Sequence, residues 1–256
     1  MTSVRVASLN IWHDAGPWPR RLPLIRREIQ RLQPDILGLQ EVMRSGDLRF
    51  GSPDTCQAMA IAHGLGYHVA YAPAAPRGGM DPRWQGNALL SRWPIHERRI
   101  FPLPGADVAE PRALLYALVQ TPLGDLPVSV THLTWEPHHA PLRLRQVEYV
   151  SAMAPSGVLL GDFNAEPDSA EMKHLRAAGF ADAWGDGPAG YTFDRVNDYA
   201  RDADEPSCRI DYVLVRGRGL AAVRMWLAWT EPERTASGAV WPSDHFGVVS
   251  DLSIDA

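Results

Sequence analysis

Short apolar runs, separated by loops rich in glycine and proline, indicate that most of the chain forms strands. Residues 4–10 alternate between apolar and polar positions, which predicts a half-buried strand. Similar or continuous apolar runs predict further strands at 34–42, 66–72, 86–95, 112–121, 126–133, 157–162, 190–193, 208–217, 220–229 and 245–254. Apolar residues at helical spacing predict helices over four segments, namely 19–32, 54–65, 139–153 and 168–178.

The ratio of strands to helices narrows the fold class. About a dozen strands with three or four helices are too many for a doubly wound parallel sheet. The pattern therefore predicts an α/β fold in which two packed sheets are flanked by helices. No repeat or linker-like segment divides the chain, so residues 1–256 are predicted to form one domain. Long loops are predicted at 43–53, 73–85, 134–138, 194–206 and 231–243.

The helix predicted at 19–32 carries many arginines. Leu22, Ile25, Ile29 and Leu32 lie at helical spacing, and the arginines at 20, 21, 26, 27 and 31 fall mostly on the opposite face. A solvated helix face is the preferred interpretation of this cluster, and a nucleic-acid patch is the alternative.

Composition and charge restrict the classes of partner. A hydrophobic content of 45% and a charged content of 21% are typical of a soluble globular protein. No apolar stretch is long enough to span a bilayer, and the first residues do not resemble a signal peptide, so a cytoplasmic location is expected. The net charge of −5 disfavours a tight binder of duplex nucleic acid and leaves small phosphorylated substrates open. Cys56 and Cys208 are predicted to be reduced thiols, since their spacing is not that of a zinc site.

Polar residues interrupt the apolar runs where strands end or begin. An acid inside a strand such as "RIDYVLV" is costly unless it is paired. These polar insertions therefore predict that the strand ends converge on the mouth of a single site. The insertions are Asn10, Gln40-Glu41, Gly86-Asn87, Thr131-His132, Asp162, Asn164, Asp211 and Asp244-His245.

The stretch "VLLGDFNAEPDS" at 158–169 allows two interpretations. Glycine, aspartate, asparagine and proline are turn residues, which favours an ordinary turn after the strand. Asp162 and Asn164 are also two positions apart, so they would share a face of an extended chain and could act on one substrate. This stretch alone does not decide between the two.

The residue types at the strand ends favour one kind of chemistry. Oxygen ligands from Asn10, Glu41, Asp162 and Asp244, without a cysteine or histidine cluster, suit Mg²⁺ or Mn²⁺ better than Zn²⁺. Two histidines, His132 and His245, can move protons or hydrogen-bond a phosphoryl oxygen. A divalent ion, a base and donors together indicate metal-assisted hydrolysis of a phosphate ester.

Seven segments in order resemble the endonuclease/exonuclease/phosphatase superfamily, which includes DNase I-like nucleases and phosphatases. They are "SLNIW", "LQEV", "GNALLS", "THL", "GDFNAEP", "RIDYVLV" and "SDHFGV", and they run from residue 8 to residue 248. The resemblance implies a four-layer α/β sandwich with the site at one edge of two mixed sheets. It also implies that Glu41 is the main metal ligand, with Asn10 beside it and Asp244 in the metal site or its shell.

The same resemblance implies the catalytic roles. Asp162 would orient or deprotonate the attacking water, and Asn164 would hold a phosphate oxygen. His132 would stabilise the phosphoryl group, and His245 would be the second catalytic histidine, supported by Asp211. Water would attack the phosphorus in line, and no covalent enzyme intermediate would form.

The sequence does not identify the substrate. Asn87, Arg145 and Trp135 are candidate substrate contacts. Four tryptophans near site segments either line the mouth or anchor loops, namely Trp12, Trp84, Trp135 and Trp241. A small or lipid-like phosphoester is the expected substrate. The alternatives are a DNA or RNA nuclease and a catalytically silent binding module.

Overall fold

The architecture was analysed in a computed structural model that describes residues 3–45, 55–76, 83–185, 187, 190–203, 205–217, 219–236 and 238–254. The helices are α1 (Trp18–Leu32), α2 (Gln57–Ala62), α3 (Ala140–Met153) and α4 (Ala170–Ala177). The strands are β1 (Ser3–Asn10), β2 (Ile36–Ser45), β3 (His68–Pro76), β4 (Arg83–Ser91), β5 (Ile95–Pro102), β6 (Ala113–Thr121), β7 (Gly124–His132), β8 (Gly157–Asp162), β9 (Ala181–Asp182), β10 (Asp211–Arg216), β11 (Leu220–Ala228), β12 (Glu233–Thr235), β13 (Gly238–Val240) and β14 (Gly247–Ile254).

Two mixed sheets pack face to face between two layers of helices. Within the described ranges, six strands form the first sheet, in the order β11-β14-β1-β2-β4-β3, and six form the second, in the order β5-β6-β7-β8-β10-β9. Apolar side chains from both sheets, such as Val6 and Leu160, form the core between them. Helices α1 and α2 cover the first sheet through residues such as Ile29, and α3 and α4 cover the second through residues such as Val147. The predicted α/β four-layer sandwich of two packed mixed sheets is confirmed.

The sheet topology brings the ends of the central strands to one edge. Strand β1 runs parallel to β2, and β7 runs parallel to β8, so the carboxyl ends of each pair meet. His132 pairs in register with Asp162, and Asp162 pairs in register with Asp211 at the start of antiparallel β10. Residues paired in register project to the same face, so this alignment places one histidine and two carboxylates side by side.

Several predicted boundaries were wrong. The strand predicted at 86–95 ends at Ser91, and a separate, largely exposed strand β5 follows. The segment 190–193 is not a strand, because it contributes only the isolated bridges of Phe193 to Cys208 and to His245. The loop predicted at 231–243 contains the hairpin of β12 and β13. Strands β2 and β3 extend into the loops predicted at 43–53 and 73–85, whose segments 46–53 and 77–82 lie outside the described residues.

Gly161, the glycine of "GDFN", is required by close packing between β7 and β8. A Cβ atom at this position would lie 2.3 Å from the Thr131 carbonyl oxygen, which is backbone and cannot move aside. We therefore expect Gly161→Ala to lower the free energy of unfolding by about 1–3 kcal/mol, as overpacking of a closed interior does. Urea unfolding measures the change, and an unaltered midpoint would contradict this packing argument.

Candidate active site

Asp162 lies at the centre of the converging strand ends and is almost completely buried. Its Oδ2 accepts a hydrogen bond from Asn10 Nδ2 at 3.0 Å, and its Oδ1 accepts one from the Asn164 backbone N–H at 2.9 Å. Burial, followed by the negative charge of Asp211, raises the pKa of Asp162 to about 7. A carboxylate with such a pKa can accept a proton near neutral pH.

His245 lies on one side of Asp162 and is oriented by a second carboxylate. Its Nδ1–H donates to Asp211 Oδ2 at 2.9 Å, and its Nε2 lies 3.8 Å from Asp162 Oδ2. Burial opposes a charge on this ring, but the carboxylates of Asp211 and Asp244 outweigh it and raise the pKa of His245 well above its ordinary value. The ring is therefore held as an imidazolium whose Nε2–H faces the centre of the site.

His132 lies on the other side of Asp162 and has the opposite electrostatic surroundings. Arg112 Nη1 donates to its Nδ1 at 2.9 Å, so the proton of the neutral ring is on Nε2, which lies 3.5 Å from Asp162 Oδ2. Burial and the Arg112 charge hold the pKa of His132 well below its ordinary value. Sequence reasoning missed Arg112, which is buried just before β6 and pairs with Glu110 at 3.0 Å.

Asn164 reaches the site through a turn and not through an extended strand. Strand β8 ends at Asp162, and Asn164 has a left-handed backbone with φ 47°. Its amide nitrogen donates to the Leu133 carbonyl at 3.0 Å and lies 3.1 Å from His132 Nε2. The two sequence-based interpretations of this stretch are thus compatible, because the turn itself brings the Asn164 side chain beside the histidine.

Glu41 projects toward the site from an irregular position in β2. The register between β2 and β4 shifts between Leu39 and Val42, and Glu41 has φ 57°. A bulge of this kind redirects a side chain at a functional site. Asn10 Nδ2 donates to Glu41 Oε1 at 3.3 Å, while the Asn10 oxygen accepts from the Trp12 N–H at 2.9 Å. The amide nitrogen of Asn10, and not its oxygen, therefore faces the carboxylates.

Asp244 is connected to the end of β1 by a serine that sequence reasoning missed. Ser243 Oγ donates to the Asn10 carbonyl at 2.6 Å and lies 3.2 Å from Asp244 Oδ1. Burial raises the pKa of Asp244 to about 6; the adjacent His245 opposes this rise, and the charge of Glu41 adds to it.

Comparisons with known proteins agree with this geometry. The sequence model of the Endonuclease/Exonuclease/phosphatase family matches residues 7–245. The chain belongs to this family. No curated protein matches the sequence at a significant level.

Solved structures of this family are similar to the chain over almost its whole length. An endonuclease/exonuclease/phosphatase from Beutenbergia cavernae is 24% identical with a TM-score of 0.77, covering 100% of this chain and 72% of that one. TDP2 from D. rerio, solved with a single strand DNA product, is 20% identical with a TM-score of 0.76 and coverages of 99% and 100%. A mannosyl-6-phosphatase of Bacteroides thetaiotaomicron is 20% identical with a TM-score of 0.72 and coverages of 98% and 100%.

The donor set fits the divalent metal ions on which enzymes of the Endonuclease/Exonuclease/phosphatase family depend. Asp162, Asp211 and His245 bring potential ligand atoms within 4.8 Å of one another, and Asp211 Oδ1 is buried without a hydrogen-bond partner among the described residues. The mutual repulsion of Glu41 and Asp244 would be relieved by a cation between them. Carboxylate oxygens are the ligands that Mg²⁺ and Mn²⁺ prefer.

The candidate substrate contacts differ in their placement. Asn87 is buried, donates to the Ala113 carbonyl at 2.8 Å and lines a narrow crevice with Glu41 and His132. Trp135 is 51% exposed and lines a cavity together with Asn164. Arg145 is exposed on α3 and does not line that cavity, whereas its neighbour Arg143 does.

The other tryptophans contribute to the structure of the loops and the core. Trp12 stacks on Tyr199 with ring centroids 4.8 Å apart, Trp241 is buried against Phe246, and Trp84 is half-buried in β4. Among these four, Trp135 is therefore the one that presents an open aromatic face. None of the described helices combines the length and the apolar character needed to cross a bilayer.

The prediction that the arginines of α1 form a solvated face is wrong for Arg21. This side chain is fully buried and lies 5.1 Å from the Trp12 ring centre. It donates to the carbonyl oxygens of Ala15 at 2.9 Å and Pro242 at 3.3 Å, and also to that of Ile11. Burial lowers the pKa of Arg21 to about 10, although Asp244 and other acids oppose this shift. Arg21 thus ties the segment after Asn10 to the segment before Asp244.

We expect Arg21→Met to lower the free energy of unfolding by about 3–5 kcal/mol, because several buried carbonyls lose their donor. Arg27→Met, at an exposed position of the same helix, is the matched control and should change stability by about 0.5 kcal/mol or less. Urea unfolding of both variants checks the difference, and equal effects would show that Arg21 is not a structural tie.

Proposed function

We propose that this protein is a divalent-metal-dependent phosphoesterase that hydrolyses a phosphodiester or phosphomonoester by in-line attack of an activated water molecule. The observation that carries the proposal is the pair of histidines around Asp162, which one carboxylate and one guanidinium hold in opposite protonation states. Titratable groups whose surroundings separate their pKa values identify the participants in acid–base catalysis. Family membership supports the same class, since members are hydrolases of phosphoesters.

Asp162 is proposed as the base that takes a proton from water. Hydrogen bonds from Asn10 and from the Asn164 backbone fix its two oxygens at 3.0 and 2.9 Å, so the carboxylate is held in one orientation. Its raised pKa matches the working range of a general base near neutral pH.

The two histidines are proposed to bind the phosphoryl oxygens. Each presents an Nε2–H beside Asp162, and preorganised donors stabilise the charge that grows on phosphoryl oxygens as water attacks. Neutral His132 supplies a hydrogen bond, whereas His245 also supplies a positive charge. Asn164, next to His132, adds an amide group at the same place.

Glu41 and Asp244 are proposed to hold Mg²⁺ or Mn²⁺. Asp162 and Asp211 lie nearby. A bound ion would polarise the phosphoryl group as a Lewis acid. Asn10 is the predicted neighbouring ligand; in the observed conformation it orients the carboxylates of Glu41 and Asp162 through its amide nitrogen.

A small or lipid-like substrate is proposed because the net charge of −5 disfavours a polyanion. The solved relatives named above include one complexed with single strand DNA and one phosphatase of a phosphosugar, so both classes belong in the test. The domain spanning 1–256 and the cytoplasmic location remain predictions.

The test is hydrolysis of bis(p-nitrophenyl) phosphate, p-nitrophenyl phosphate, mannose 6-phosphate and nicked, abasic or single-stranded DNA, each with Mg²⁺, Mn²⁺ or EDTA. We expect EDTA-sensitive turnover of small esters, and Glu41→Gln should raise the metal concentration for half-activity about 10- to 100-fold. A preference for DNA would establish the nuclease alternative. Inertness toward every ester with every metal, in a folded protein, would favour the silent binding module.

A further inference from the structure

A cavity of about 530 Å³ opens directly beside the proposed catalytic centre. Asn164 belongs to both, because it lines the cavity and its amide nitrogen lies 3.1 Å from His132 Nε2. A group attached to a phosphate held at His132 could therefore extend into this space. The volume suits a small organic group, since ligand pockets begin at roughly 300 Å³.

Three carboxylates give the cavity an uncompensated negative charge. Glu166, Asp168 and Glu205 line it, and none of them has an ion-pair partner in the described part of the chain. Arg143 also lines the cavity, but Glu171 balances its charge at 3.0 Å. A concave surface with one sign of charge concentrates ligands of the opposite sign.

Of two neighbouring groups, the thiol of Cys208 agrees with a negative potential in the cavity, whereas the positive charge of Arg176 opposes it. Cys208 lies in its wall, and burial together with the charges of Glu166 and Glu205 raises the pKa of this thiol to about 12. Arg176 is exposed beside the cavity and donates to the Pro167 carbonyl at 2.9 Å, but its side chain is not part of the wall.

The aromatic wall of the cavity is Trp135. This side chain is 51% exposed and lines the cavity, so part of its indole ring is open to a ligand there. Its carbonyl oxygen lies 3.5 Å from Arg143 Nη1, so the indole is attached to a braced segment. An indole face with carboxylates around it is the arrangement that recognises alkylammonium ions.

We propose that this cavity, here called the acidic cavity, binds a positively charged alkylammonium group on the alcohol portion of the substrate. The proposal rests on the proposed phosphoesterase function only in calling the ligand a substrate. Binding of a cation to the cavity can be tested without any turnover. The proposal goes further than that function, because it assigns the substrate a zwitterionic character: a phosphate at the histidines and a cation at Trp135, Glu166 and Glu205.

The binding test compares choline with 3,3-dimethylbutanol, its uncharged isostere, by calorimetry on the full chain, with EDTA and separately with Mg²⁺. We expect choline to bind at least about tenfold more tightly than the isostere. Glu166→Gln combined with Glu205→Gln should remove this preference, and Trp135→Ala should weaken choline more than Trp135→Phe does. Asp125→Asn, which removes one exposed carboxylate at the far end of β7, is the control and should leave the preference intact.

Equal binding of choline and its isostere would overturn the proposal. So would loss of choline binding in Mg²⁺ without EDTA, because the carboxylates would then be a metal site. Stronger binding of an uncharged sugar such as methyl glucoside would also overturn it.

A kinetic comparison separates this inference from the proposed function. Wild-type protein is offered p-nitrophenyl phosphocholine and p-nitrophenyl 3,3-dimethylbutyl phosphate with Mg²⁺ or Mn²⁺. We expect kcat/KM to be about tenfold higher for the cationic diester, with a preference that falls as salt is added. Equal turnover of the two diesters would refute the acidic cavity and leave the phosphoesterase proposal standing. Turnover of neither would count against the phosphoesterase, while the calorimetric result would still decide the cavity.

Discussion

Replacing Asp162 by asparagine is expected to lower kcat by about 10²- to 10⁴-fold while the fold is retained. The amide cannot take a proton from water, so the variant loses the proposed base. It would also place an amide N–H where Asp162 Oδ2 now accepts from Asn10 at 3.0 Å and faces His132 Nε2 at 3.5 Å. The loss should therefore appear in kcat more than in KM, as measured on bis(p-nitrophenyl) phosphate with saturating Mn²⁺.

The same variant should change how stability depends on pH in EDTA. The pKa of Asp162 is raised to about 7 in the folded protein, above its value of about 4 in the unfolded chain. The folded state thus binds more protons between these values, and stability must fall as pH rises through this range. Asp162→Asn removes this contribution, so wild type should lose about 1–3 kcal/mol more than the variant between pH 5 and pH 8.

Urea unfolding of the metal-free proteins at both pH values measures this difference. Asp125→Asn is the control, because this exposed carboxylate lies at the other end of β7. It should retain both the wild-type kcat and the wild-type pH dependence. Parallel pH profiles of wild type and Asp162→Asn would show that Asp162 is not protonated in the metal-free fold, and would remove one support for its role as a base.

The convergence of the site could be predicted because it follows from strand ends. Asn10 and His132 each end a strand, and Asp162 ends the strand beside His132. Parallel strands bring their carboxyl ends to one edge of a sheet, so a polar residue at the end of an apolar run is informative by position alone. Asp211 could be found in the same way, because an acid at the start of an otherwise apolar strand needs a partner.

The residues that brace the site could not be predicted, because they act across long separations in loops. Arg112 precedes a strand without any pattern of its own, and its partner His132 is 20 positions away. Ser243 bonds the Asn10 carbonyl across 233 positions. The left-handed backbone of Glu41 likewise depends on a tertiary bulge and leaves no mark in local composition.

The helical periodicity of α3 could have identified which of its two arginines, Arg143 or Arg145, lies near the site. Arg143 lies four positions before Val147 and seven before Val150, so it belongs to the buried face of the helix. Arg145 is rotated away from this face, and it is exposed. Helical phase therefore favours Arg143 over Arg145 as the arginine near the site.

Substitution of His245 by alanine is the second change with a large expected effect, a loss of about 10²- to 10⁴-fold in kcat. The variant removes the charged Nε2–H beside Asp162 and leaves the buried Asp211 carboxylate without its partner at 2.9 Å. Because that orphaned charge also destabilises the fold, kinetics alone do not isolate the role of the ring. Asp211→Asn provides the companion measurement, since it keeps the imidazole and removes the charge that holds its proton.

The sign of the Asp211→Asn effect follows from the surroundings of His245. Burial lowers the pKa of this ring, and Asp211 is the strongest of the carboxylates that raise it above its ordinary value. Without that carboxylate the imidazolium should lose its proton at lower pH, so the alkaline limb of the kcat profile should move to lower pH. The acid limb should move in the same direction, because the charge of Asp211 also raises the pKa of Asp162, the proposed base. A residue that merely positions the ring would lower kcat equally at every pH. An alkaline limb that does not move would therefore reject the imidazolium form of His245 as the active one.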